Sequence, residues 1–261
     1  MNRILRFGVA GLLIGIFSIN SLAITWFPKE FTCPIDNEKN TFLVVGSYGS
    51  YIYSYPSKYQ WLFFPQTDSP TYYMCKKCHL TTYMWDFDKL PEDKIPVLRK
   101  LLADVKVSKS FKDYQEIPVT ERLQVMEKVY AVLEKDEEWW ETFYRVEGYH
   151  YGQVGQTEKA AEMRRKSLEM IQKELKNEKS KAPKKILYYI SAAMKHFLSD
   201  DKGAIEDLET ALKTKYAEEG TTSENLESAE TGLNERIKDY MERIKGDKKP
   251  RLEETEGDHD H

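Results

Sequence analysis

Three cysteines carry the most versatile chemistry in this chain. Cys75-Lys76-Lys77-Cys78 has the two-residue gap that lets one turn bring two thiolates to a single tetrahedral ion while backbone amides soften their charge. Cys33, far upstream, can instead pair with Cys75 or Cys78 in a disulfide and leave one odd thiol. A thioredoxin-type redox role is not expected, because Cys75-x-x-Cys78 does not open a helix in a βαβ pattern.

The other polar motifs point away from catalysis. The chain has no Gly-x-Ser-x-Gly elbow, no phosphate loop ending in Lys-Ser or Lys-Thr, no His-Glu-x-x-His and no calcium loop. Gly152-Gln153-Val154-Gly155 lacks the lysine of a phosphate loop and falls between two helices. Glu147 and His150 share a helix face, which reads as a surface hydrogen bond rather than an acid–base pair. A formal net charge of −4 gives no electrostatic footprint for nucleic acid. The chain is expected not to be an enzyme.

The elements that must hold these residues fall into four segments. Residues 1–23 have the layout of a signal peptide: Arg3 and Arg6, an uncharged stretch from Phe7 to Ile19, then Ser21-Leu22-Ala23. Left uncleaved, the uncharged run from Phe7 to Pro28 is just long enough to cross a bilayer as a helical anchor. Either way the folded part is expected to be extracytoplasmic, where disulfides are favoured. Residues 24–90 hold all three cysteines and half of the ten prolines. Thr41–Val45, Tyr51–Tyr53, Thr71–Met74 and Thr82–Trp85 read as short strands, in a unit small enough to need a metal or disulfide staple. Over residues 91–245 the apolar spacing turns helical, with helices from Pro91 and Pro118 and then over 137–153, 157–177, 183–198, 201–216 and 223–245. Residues 246–261, including Asp258-His259-Asp260-His261, read as a solvated, disordered tail.

One spacing recurs within the helices. Gly148, Ala160 and Ser167 are separated by twelve and seven residues, and so are Ala192, Ala204 and Ala211. Tyr144 and Tyr188 each stand four before the first small residue. Small residues at these offsets let paired helices approach closely, as in a tetratricopeptide (TPR) repeat. The copies are offset by 44 residues, longer than the usual repeat, so the pairs are TPR-like. The expected fold is mainly α: a TPR-like helical-hairpin array behind a small N-terminal β-containing, Cys-bearing unit. A last helix, with Leu226, Ala229, Leu233, Ile237, Met241 and Ile244 in one stripe, would cap it.

Cys33-Pro34-Ile35-Asp36, Cys75-Lys76-Lys77-Cys78, Phe87 and Leu90 leading into a helix, and the TPR-like pairs together resemble the bacterial family catalogued as domain of unknown function 2225. The resemblance covers most of the chain after residue 23. It implies a split, zinc-ribbon-like N-terminal unit in which two Cys-x-x-Cys turns hold one structural zinc. This sequence departs from that pattern at Asp36, which stands where a fourth cysteine is expected. The implied ligands are Cys33, Asp36, Cys75 and Cys78, with His79 as a further candidate. The alternative is a structural disulfide among Cys33, Cys75 and Cys78. The family has no established activity.

By similarity to TPR proteins, the first helix of each pair lines a concave groove. Helix phase puts Arg145, Tyr149 and Gln153 on that face in one pair, and Tyr189, Ala193 and His196 in the next. Such a set suits an extended peptide, with packing of Tyr149 and Tyr189 between helices as the alternative. Of the adjacent Trp139 and Trp140, one is expected in the core and the other under the N-terminal unit. The function expected is an exported scaffold or adaptor that binds a protein or peptide. A self-associating envelope or appendage component, and a metal-dependent hydrolase at the cysteines, are the alternatives.

Overall fold

The computed structural model describes residues 24–49, 58–217 and 222–246. The expected signal segment, the strand Tyr51–Tyr53 and nearly all of the tail lie outside these residues. Two antiparallel hairpins come first: β1 (Thr25–Thr32) with β2 (Lys39–Ser47), and β3 (Tyr72–Met74) with β4 (Thr81–Tyr83). No strand was expected over Thr25–Thr32. Pro28 interrupts it, and nearly all of its side chains face solvent, so it shows no apolar alternation. A two-stranded sheet consists of edge strands, where proline is tolerated.

Among the described residues seven α-helices follow: α1 (Ile95–Leu102), α2 (Val119–Val132), α3 (Glu137–Gln153), α4 (Thr157–Lys176), α5 (Lys184–Phe197), α6 (Asp201–Lys213) and α7 (Ser223–Lys245). Local chemistry sets several of their starts. The side chains of Asp136, Asp200 and Thr222 accept backbone N–H groups at the heads of α3, α6 and α7.

α3 packs on α4 and α5 on α6, and α4 joins the two pairs. The small residues stand where the rods close up. A Cβ on Gly148 would lie 3.0 Å from Cγ of Arg164 and 3.4 Å from the carbonyl oxygen of Ala160. Ala160, Ser167, Ala192, Ala204 and Ala211 are all fully buried. Leu233, Ile237 and Tyr240 of α7 enter the core of the α5–α6 pair. Ala229, expected in that stripe, is exposed.

The hairpins share their core with the helices rather than forming one of their own. Cys33, Phe42, Tyr73, Cys75 and Phe87 pack with Leu98 and Leu102 of α1 and with Val125 and Val129 of α2. Leu62, Tyr72 and Tyr83 pack with Leu123, Met126 and Tyr130 of α2 and with Phe143, Val146 and Tyr149 of α3. Trp139 stacks on Phe143 at 4.9 Å and meets the Tyr83 ring edge-on, so the β3–β4 hairpin touches it, while Trp140 rests against Tyr144.

Glu147 and His150 form no surface pair; both are buried. His150 Nε2 lies 3.0 Å from the carbonyl oxygen of Gln66 and 3.1 Å from the Tyr72 hydroxyl, and burial holds its imidazole down at about 4. One carboxylate oxygen of Glu147 has no hydrogen-bond partner, and burial, aided by the Glu127 charge, pushes its carboxyl up to about 9.

Gly148→Leu is expected to cost about 1–3 kcal/mol in urea unfolding, since even its Cβ meets Arg164. Folded Glu147 holds its proton where the unfolded chain releases it, so its burial costs stability increasingly as pH rises from 4.5 toward about 9. Glu147→Gln is therefore expected to stabilise the fold by more than about 1 kcal/mol at pH 8 and to be nearly neutral at pH 4, read as unfolding midpoints. His150 acts oppositely: the fold keeps it neutral, so its contribution is lost as pH falls from 6.5 toward about 4.

Candidate metal centre

A turn over residues 33–38 closes the first hairpin and one over residues 75–80 closes the second, and the two have the same backbone. In one, the Cys33 N–H donates to the Glu38 carbonyl (2.9 Å) and the Asn37 N–H donates back to the Cys33 carbonyl (2.9 Å). In the other, the Cys75 N–H donates to the Leu80 carbonyl (2.9 Å) and the His79 N–H to the Cys75 carbonyl (3.0 Å). Asn37 and His79 take the left-handed corner of each turn, at φ of 61° and 63°. Asp36 therefore occupies in its turn the place that Cys78 occupies in the other.

This geometry points the first and fourth side chains of both turns at one centre. Cys33, Asp36, Cys75 and Cys78 each bring one ligand atom, all within 4.8 Å of one another, close enough to hold a metal ion. Cys33 Sγ lies 3.5 Å from Cys78 Sγ, and Cys75 Sγ lies 3.8 and 3.9 Å from the two Asp36 oxygens. A tetrahedral ion with Zn–S bonds of ~2.3 Å holds its sulfurs roughly 3.8 Å apart. The donor set thus fits one four-coordinate ion. All three cysteines are free thiols, so the alternative disulfide is not formed in this structure.

His79 is not a ligand. Its backbone makes the turn, and its ring leaves the centre, with Nδ1 3.3 Å from the Val105 carbonyl oxygen and the ring beside Phe111.

The sulfurs compete for protons. Hydrogen bonds from Cys33 and Cys78 hold Cys75 far below the usual thiol range. The Cys75 partner pushes Cys33 up to about 12, and Cys33 with Cys75 pushes Cys78 higher still. A bound cation removes that competition, because a coordinating thiol is deprotonated outright.

Sequence reasoning missed the residues that clasp the two turns. Asn40 on β2, only 3% exposed, donates from Nδ2 to the Glu38 carbonyl (3.0 Å) and toward Cys75 Sγ (3.5 Å). Its Oδ1 accepts the Lys76 N–H at 2.9 Å. Lys76 and Glu38 pair across the turns at 3.1 Å, and Arg99 of α1 donates twice to the Ile35 carbonyl. The only sequence signal was an asparagine four residues past Asp36, a residue type that is ordinary beside a turn.

The inner face of α3 and α5, expected to be an open groove, is covered by the chain's own residues from Tyr59 to Gln66. Arg145 is 4% exposed. Its Nη1 donates to the carbonyls of Gln60 (3.1 Å) and Trp61 (2.8 Å), and its Nε donates to Glu141 (2.7 Å). Tyr149 is buried with Leu62 and Tyr72. Tyr189 is fully buried, its ring edge-on to Trp61 at 5.6 Å. His196 Nδ1 is 2.7 Å from Asp201, and its ring abuts Tyr240. Gln153 alone of the five is exposed, at the end of α3. Residues from another part of the chain thus bury Arg145, Tyr149 and Tyr189, while His196 is half-buried and Gln153 exposed.

No family model, no curated protein and no solved structure matches the chain. Among the described residues, no helix is long and apolar enough to cross a membrane.

Asn40→Ala is expected to weaken metal binding by about 10–100-fold, the usual cost of removing a group that orients ligands. Asp36→Cys is expected to bind zinc at least as tightly as the natural chain. Competition against a chromophoric chelator measures both.

Proposed function

We propose that this chain is a non-catalytic scaffold or adaptor, exported from the cytoplasm, in which one structural zinc ion locks the N-terminal hairpins against the helical array. The observation that carries this reading is the convergence of four donors from two matched turns on one point. Three sulfurs and a carboxylate suit zinc, which takes soft and hard donors at a tetrahedral site. When bound, the ion supplies cross-linking free energy, because the unfolded chain has no preformed site. A complete four-ligand set leaves no position for water, which favours a structural site over a hydrolytic one.

The layout of two turns followed by helical pairs is what the resemblance to the 2225 family implies, and it supports grouping the chain with that family. Export rests on the pattern of residues 1–23. In an oxidising compartment, coordination keeps the three thiols from disulfide exchange. The partner is a protein, met on an outer surface of the array, since the face of α3 and α5 is already filled.

Elemental analysis of the full chain purified without chelator is expected to find one zinc per chain. Removing it is expected to lower the melting temperature by several degrees and leave the thiols open to alkylation. Metal-free protein with a disulfide mapped among Cys33, Cys75 and Cys78 would refute the zinc reading. Crosslinking in the native envelope is expected to capture a protein partner, whereas capture of the chain by itself alone would favour a self-associating component.

A further inference from the structure

A cleft of ≈ 390 Å³ lies between α2, the segment after α1 and the head of α4. Its wall carries Lys106, Lys128 and Lys159, and none of the three forms an ion pair among the described residues. Glu121 is the one acid lining it. Both oxygens of that carboxylate are engaged by Ser108, through its N–H (2.5 Å) and its hydroxyl (2.7 Å). The lining thus carries three ammonium groups against one carboxylate.

Thr120 is the second observation. It lines the cleft and is only 5% exposed, yet its hydroxyl has no hydrogen-bond partner among the described residues. The hydroxyl itself is not sealed from solvent, so its residual exposure opens onto the cleft that the residue lines. Two further side chains are held in place by Tyr151. Gln124 donates to its hydroxyl at 3.1 Å, and the Lys159 ammonium sits 5.3 Å over its ring. Neither α2 nor α4 has a side-chain cap, so the N–H groups at both helix heads add to the positive potential.

We propose that this cleft binds a small phosphate monoester. A phosphate monoester carries about −1.5 to −2 charge near neutral pH, which suits a lining of three ammonium groups and one carboxylate, and three strong acceptor oxygens. The ammonium groups and the Thr120 hydroxyl supply its donors. Pro118, Val105 and Val125 form an apolar wall for the organic part.

The test is calorimetric titration of the full chain at constant ionic strength with glycerol phosphate, inorganic phosphate and succinate. Saturable binding of glycerol phosphate is expected, with succinate at least about tenfold weaker. Lys128→Gln with Lys159→Gln is expected to weaken binding by at least about tenfold, roughly 1.4 kcal/mol. Thr120→Val, which leaves every charge in place, is expected to weaken it severalfold. Lys202→Gln, on the exposed side of α6, is expected to leave it unchanged. Absence of saturation, equal binding by the double variant, or succinate binding as tightly as the monoester would each overturn the proposal.

Discussion

Three sulfurs and a carboxylate are held within 4.8 Å of one another, where the sulfurs compete for protons, and this crowding joins the two N-terminal turns. The four groups stand close enough to hold one metal ion between two turns some forty residues apart. The cysteines share a core with α1 and α2, and α2 in turn packs on α3, which carries the close approach to α4 at Gly148. The centre is small, but it sits at the start of a continuous path of packing into the array.

The second organising feature is the burial of irregular chain. Residues 61–68 form neither strand nor helix, and backbone turns satisfy only some of the carbonyls here, which would be costly if left unmet. The helices supply donors instead. Arg145 serves Gln60 and Trp61, His150 serves Gln66, and Arg122, 2% exposed, serves Ser69, Tyr72 and Ile117. Burial lowers the Arg122 guanidinium to about 10, which still leaves it charged at neutral pH. Polar residues on a helix face, which resemble a recognition surface, are here internal partners for a buried loop.

This has a consequence for function. An array of helical pairs suggests a concave site, yet here the inner face is internal packing and the free chemistry lies elsewhere. The unpaired lysines and the Thr120 hydroxyl cluster on the outer side of α2.

Local signals made much of the architecture legible. Helix starts follow from caps and prolines within a few residues, and the pairing of small residues twelve and seven apart follows from the sterics of adjoining rods, so α2 to α7 were readable from the chain alone. The Cys-x-x-Cys turn was readable for the same reason. Tertiary structure alone decided the rest. β1 has no buried alternation to betray it, and the exclusion of His79 depends on a backbone angle and on the Val105 carbonyl. Asn40 looks like any turn asparagine until two turns close on it. Arg145 and Tyr189 lie on the face that helix phase assigned, but an amphipathic pattern records only which side faces inward. Whether that side stays open is set by a segment more than eighty residues away, and nothing in neighbouring residues encodes it.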